Sequence, residues 1–240
     1  MKSDEGAGSF AAKWAGRSVG TEDLHQHSVG TKVTEIIREM IYAGQLTGGQ
    51  RVPQDDIARD LGVSRLPVRE AVASLELDGL LRVEKHRGAF VQPVRRTDVE
   101  DHYRIFGQTH GLAAARAAAS GSAEDIDALR AVDKKLRSAS ELDEQHQLNW
   151  EFHRVINVIG GSRRLQSIVL GLTRQIPRSF RFEVPPATRQ ALREHKAILD
   201  AIVGGDSDAA FDACVAHLGT EASYIITLLE GRGFFDEQDK

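Results

Sequence analysis

Apolar residues recur at three- and four-residue spacing at Val33, Ile36, Ile37, Met40 and Ile41, which predicts an amphipathic helix from Thr31 to near Gly44. A shorter helix follows Pro53. Asp55 and Asp56 occupy its first turn, where the helix dipole favours acids, Ile57 and Leu61 turn inward, and Gly62 ends it. Ser64 is placed to cap a third helix running through Val68, Val72, Leu75 and Leu77 to Gly79, and Pro67 in its first turn removes no intrahelical bond. LLRVE and AFVQP, two short extended runs around KHRG, then predict a hairpin. Three helices, the last two joined through GVS, followed by a basic hairpin, form the plan of a winged helix-turn-helix over residues 29–94.

After a connector at 94–97 the pattern is helical throughout, with helices near 98–119, 123–138, 141–159, 162–182, 188–203 and 207–230 separated by breaks such as SGS, IGGS, VPP and VGGD. Six antiparallel helices with short joints make a bundle over residues 95–232. The expected fold class is mainly α: an N-terminal winged helix-turn-helix with a small β-hairpin wing, then a C-terminal antiparallel six-helix bundle. Residues 1–28, which include His25 and His27, lack periodicity and read as a disordered tail, and 233–240 as a second tail.

Composition narrows the class. At 240 residues, 41% apolar and 28% charged, the chain is neither collagen-like, mucin-like nor wholly disordered. Its single cysteine, Cys214, excludes an internal disulfide and a cysteine-rich zinc site. No apolar run reaches the length of a membrane span, and Asp4 and Glu5 stand where a secretion signal would begin its apolar stretch. A cytoplasmic location without membrane association is expected. The net charge of -4 argues against a generic polyanion binder, yet Thr31 to Arg96 holds 11 Lys and Arg against 9 Asp and Glu. The excess gathers at Arg82, Lys85, Arg87, Arg95 and Arg96, where Glu84 is the only acid, so the N-terminal third has a basic edge.

The stretch LGVSRLPVREAVASLELDGLLRVEKHRGAFVQP resembles the DNA-reading domain of the GntR family of bacterial transcription factors, in which GVSR-x-PVREA, LE-x-DGL and RG-x-FV occur in that order. The bundle resembles the FCD-type effector domain of the FadR subfamily, in its VanR-like form with six helices. There, an Asp or Asn four residues before a His combines with two later histidines. The matching residues are Asn149 and His153 in NWEFH, His195 in EHKAILDAIVGGD and His217 in AHL.

On the helix-turn-helix plan, Ser64, Arg65, Leu66 and Arg69 sit at the start of the helix that enters the major groove. Arg65 is the expected fork onto the O6 and N7 of guanine, Arg69 reads a base or a phosphate, and Leu66 presses on a thymine methyl. His86, Arg87 and Gly88 form a wing tip for the minor groove or its phosphates, with Gly88 allowing close approach. Family members often carry an arginine early in the second helix that grips the backbone. Asp56 stands there, and an acid cannot hold a phosphate, which leaves Gln54 or Arg51 as substitutes.

In the bundle, Asn149 and His153 share a helix face beside Leu148, Phe152, Ile156 and Ile159, while His195 and His217 fall among apolar neighbours. Taken singly, each histidine also reads as a packed core residue. Jointly, three imidazoles and an amide oxygen suit a divalent transition metal such as zinc or nickel, whose open positions could take a small organic acid. Glu221 and His146 are secondary candidates. The resemblance also implies a group on the first bundle helix that holds the effector; HYRIFGQTHGLAAARAAA matches poorly there, with Arg104 and Gln108 the expected residues and Arg116 another.

The expected function is a homodimeric, ligand-responsive repressor that is not an enzyme and reads a palindromic double-stranded operator. The rival from another class is a metal-dependent hydrolase built on the histidine cluster, although HExxH is absent and Glu194 precedes His195 without that spacing. A metal-stabilised DNA-binding protein with no small effector is a third reading.

Overall fold

The computed structural model describes residues 28–235; His25, His27 and most of both expected tails lie outside the described residues. The chain divides into two compact units, the first ending at Val94 and the second beginning at Arg95.

In the first unit, helix α1 (Val29–Tyr42) begins two residues earlier than the apolar spacing predicts, because the Ser28 hydroxyl accepts the Thr31 amide at 3.2 Å and caps it. Helices α2 (Gln54–Asp60) and α3 (Arg65–Leu77) are joined through Gly62, which adopts a positive φ of 65°. Ser64 holds the capping position of α3, but its hydroxyl makes no capping hydrogen bond. The expected cap fails for a covalent reason: the amide three residues on belongs to Pro67, which has no N–H.

Strand β1 (Leu81–Glu84) pairs antiparallel with β2 (Gly88–Val91), from Leu81 opposite Val91 to Glu84 opposite Gly88. Val52 extends this wing by donating its amide to the Ala89 carbonyl at 2.9 Å. Ile37, Leu46, Val68, Ala71 and Leu75 fill the core between helices and wing. A buried ion pair absent from the apolar pattern, Arg38 to Asp78 at 2.7 Å, ties α1 to the end of α3.

The second unit comprises α4 (Arg96–Ser120), α5 (Ala123–Ser138), α6 (Leu142–Gly160), α7 (Arg163–Gln175), α8 (Arg178–Glu183), α9 (Arg189–Val203) and α10 (Ser207–Gly231). Side chains of Ser122, Ser162, Thr188 and Asp206 cap α5, α7, α9 and α10, each accepting the amide three residues on. The helix expected over 162–182 is interrupted. Pro177 lacks a donor and disfavours the helical conformation in Ile176, which is extended, so only the short α8 follows. Six long helices remain, as the spacing predicts.

The 25-residue helices α4 and α10 make the most extensive helix pair among the described residues. Small residues allow it: a Cβ on Gly111 would stand 2.9 Å from the Phe211 ring. Helix α6 meets α4 still more closely, since a Cβ on Gly160 would fall 1.8 Å from the Ala113 carbonyl oxygen. Ala114, Ala117, Leu129, Phe152, Ile156, Ile198 and Ile202 form the bundle core beneath the histidines. Among the described residues, no helix is long and apolar enough to cross a membrane.

Candidate metal centre and nucleic-acid interface

His153 on α6, His195 on α9 and His217 on α10 each sit within an apolar stripe, so packing of the three helices turns all three rings toward one point. His217 Nε2 lies 3.2 Å from His195 Nε2 and 3.2 Å from His153 Nε2. Nitrogens bound to one ion at 2.0–2.1 Å stand roughly 3.0–3.4 Å from one another, the spacing that His217 Nε2 keeps to each of the other two rings, and one nitrogen from each ring lies within 4.8 Å of the other two. The far nitrogen of His217, Nδ1, donates to Glu194 Oε2 at 2.8 Å. Glu194 is held in turn by Thr220 Oγ1 and Gln190 Nε2, each donating to Oε1 at 3.0 Å. This carboxylate puts the proton on Nδ1 and aims Nε2 at the other two rings, the usual outer support of a metal-binding histidine. Nδ1 of His153 and Nδ1 of His195 are buried without a hydrogen-bond partner, so only His217 is oriented in this way.

Electrostatics keep the ligand atoms available. Burial pushes the pKa values of His153 and His195 well below the ordinary histidine value, and the neighbouring His217 adds to the shift in both. Neutral imidazole is the form that binds a metal. At Glu194 burial acts to raise the pKa, but hydrogen bonds from His217, Gln190 and Thr220 outweigh it and hold the group below its ordinary value. With its oxygens engaged by these three residues, Glu194 is not positioned as the free general base that the hydrolase reading needs.

Asn149 stands one turn before His153 on α6 and lines the same cavity, of about 1290 Å³, as His153 and His217. Arg104 and Gln108 do not line it. Both lie exposed on α4, Arg104 next to Asp101. The inward face of α4 offers His110 instead. Its ring is 5.7 Å from that of His153, and its Nδ1 meets Asn157 Nδ2 at 3.3 Å. Burial, with His217 nearby, lowers the pKa of His110 to about 4. Among the secondary candidates, Glu221 accepts from the Tyr103 hydroxyl at 3.4 Å, and the His146 ring stands edge-on to Phe182. Cys214 is buried, its pKa raised to about 12 by desolvation, and it belongs to the core.

In the first unit, Ser64, Arg65, Leu66 and Arg69 are exposed at the start of α3, with Leu66 63% exposed despite its apolar side chain. Arg65 Nε pairs with Asp55 Oδ1 at 2.9 Å. Asp56 is paired with Arg59, as befits an acid that cannot grip a phosphate. At the wing tip His86 has a φ of 64°, the one positive value on a non-glycine residue among those described. Arg51 Nε donates to the Arg87 carbonyl at 2.9 Å and lies against Gly88, where a Cβ would be 2.9 Å away, so Arg51 shapes the wing tip. Arg87 pairs with Glu84 and lies 5.4 Å from the centre of the Phe90 ring.

Residues 30–91 match the model of the bacterial regulatory proteins of the gntR family, and residues 110–220 match the FCD domain. An uncharacterised helix-turn-helix type transcriptional regulator of Mycobacterium tuberculosis is 32% identical over 184 residues, covering 77% of this chain and 75% of the relative. The chain belongs to the GntR family. Within that family, a putative L-lactate dehydrogenase operon regulatory protein of Escherichia coli is 28% identical, covering 78% of this chain and 82% of the relative. The crystal structure of a GntR family member from Pseudomonas syringae pv. tomato superposes with a TM-score of 0.55 at 27% identity, covering 85% and 87% of the two chains. This GntR chain is therefore a DNA-binding transcriptional regulator with an FCD domain.

Three parts of the bundle site escape a reading of periodicity. Glu194 and Thr220 look like ordinary helix-surface residues until α9 and α10 are packed together. His110 falls in a small-residue helix of weak amphipathicity, and only its partner Asn157 marks it.

Proposed function

We propose that the chain is a ligand-responsive repressor that binds a palindromic operator as a homodimer, through Ser64, Arg65, Leu66 and Arg69 and the wing residues His86, Arg87 and Gly88. Its bundle senses an organic acid at a divalent transition metal held by His153, His195 and His217, with Asn149 as the oxygen donor. The convergence of one ring nitrogen from each of His153, His195 and His217, all within 4.8 Å of one another, carries this reading. A bound ion would supply open coordination positions for the acid's carboxylate. The protein's own residues do the rest: Glu194 orients His217, and burial keeps the neighbouring imidazoles unprotonated. Such a regulator works beside the chromosome, in the cytoplasm. Effector occupancy changes DNA affinity by a coupling free energy of about 1–3 kcal/mol.

Two measurements test the halves separately. Metal content of untagged protein purified without chelator is expected near one equivalent per chain, and lost in His153→Ala. No metal in the parent overturns the metal site. For the DNA half, Arg65→Ala is expected to lose its choice among operator sequences, by roughly 1–3 kcal/mol at the contacted base, while retaining salt-sensitive binding to any duplex. An unaltered sequence preference removes Arg65 from the reading set.

A further inference from the structure

The cavity that opens at the histidine cluster is much larger than a small organic acid requires. Sites for drug-sized ligands occupy roughly 300–1,000 Å³, and this one is about 1290 Å³. Its wall is also unusual. Trp150, Val158, Leu170, Phe182 and Tyr224 all line it, and all are large apolar or aromatic side chains left between 43% and 54% exposed. Exposed apolar side chains gathered on one surface mark a place where something apolar binds, whereas single ones scattered over a surface need no explanation. They come from α6, α7, α8 and α10, so the folding of four helices brings them to one hollow. Two of the wall's charges cancel each other: Arg154 forks onto Glu151 at 2.6 and 2.7 Å, and its guanidinium lies 5.9 Å from the centre of the Trp150 ring. A third, Glu194, is already engaged by His217.

We infer that the effector is a carboxylic acid with a bulky apolar body, its carboxylate at the His153–His195–His217 cluster and its body against Trp150, Phe182 and Leu170. The inference rests on the metal-and-carboxylate reading above for its head group and on the cavity wall alone for its body. An acid of two or three carbons leaves that wall in water and gains nothing from it. A fused-ring acid removes apolar surface from water on both sides, which is the main source of affinity in such sites. Aromatic faces at Trp150, Phe182 and Tyr224 favour flat bodies that stack or meet them edge-on.

Isothermal titration of the full chain, loaded with zinc, tests this with three probes: acetate, 2-naphthoate and 2-naphthamide, the last having the body without the charge. The expected result is that 2-naphthoate binds at least 100-fold more tightly than acetate. Trp150→Ala weakens 2-naphthoate at least tenfold and leaves acetate unchanged. His153→Ala removes acetate binding but leaves weak binding of both naphthyl probes. Equal affinity for acetate and 2-naphthoate in the parent overturns the apolar-body inference and leaves the metal-and-carboxylate reading intact. Naphthyl binding that Trp150→Ala and Leu170→Ala both leave unchanged overturns it as well. Equal affinity for 2-naphthoate and 2-naphthamide, each weakened by Trp150→Ala, upholds the apolar body while sinking the carboxylate reading. Light scattering on the same samples covers the remaining case: if Trp150→Ala only converts a dimer to a monomer without changing any probe's affinity, the wall is a subunit contact and the inference falls.

Discussion

A histidine ring gives a metal only the nitrogen that no proton or hydrogen bond already holds, and at His217 the choice is made by Glu194. Glu194→Gln keeps the size but loses the ionised acceptor, so zinc affinity is expected to fall 10- to 100-fold in a competition titration against a chelator. An unchanged affinity would mean that packing alone orients His217. His110 makes a separate, pH-dependent contribution to the metal-free protein. Its folded pKa of about 4 lies below the ordinary value of 6.5. The unfolded chain therefore takes up this proton at a higher pH than the folded one does. Stability is fully present above about 6.5 and is lost as the pH falls toward 4, by about 3 kcal/mol for this one group. In the metal-free protein, His110→Phe is expected to flatten urea-midpoint-against-pH curves over that window; an unaltered slope would assign the acid lability elsewhere. At this scale the three clustered histidines were legible in the sequence because each interrupts an apolar stripe at a matched position. Glu194, His110 and Asn157 were not, because their roles arise from neighbours more than twenty positions away in the chain.

Helix existence followed from apolar spacing almost everywhere, while helix ends followed from backbone donors. Ser28 moved the start of α1 and Pro177 broke the helix expected over 162–182. Pro67 cancelled the cap expected of Ser64 by having no N–H to offer. These are covalent facts visible in the sequence, but their outcome depends on which residue takes which helix position, and periodicity does not resolve that. The contact between α6 and α4 is less legible still, since Gly160 reads merely as a helix end. A Cβ there would strike backbone, the Ala113 carbonyl, which cannot rotate away. Gly160→Ala is expected to destabilise the bundle by about 3 kcal/mol or more, read as a drop in urea midpoint, with His153 displaced and metal affinity reduced in parallel. A loss below about 0.5 kcal/mol would show that the two helices separate freely.

For the whole molecule, the sequence conveyed two modules of different chemistry, and the comparisons named both. The resemblance supplied a carboxylate head group; the dimensions of the hollow came only with the folded chain, because Trp150, Leu170 and Phe182 belong to different helices and share no spacing. The Arg65–Asp55 pair also bears on how a regulator of this kind handles a genome. A carboxylate brought to the duplex beside the arginine cancels one positive charge, so about one fewer cation leaves the DNA on binding, and the logarithmic salt slope is shallower by about 0.9. Asp55→Asn is expected to restore that increment and to tighten binding to random duplex more than to an operator, measured by titration across a salt series. Equal gains on both would deny the pair any part in selection. Where Arg65 reads a guanine as proposed, Asp55 lowers the salt-dependent attraction to any duplex. On that reading, part of the discrimination among a genome's many wrong sites comes from an acid that touches no base.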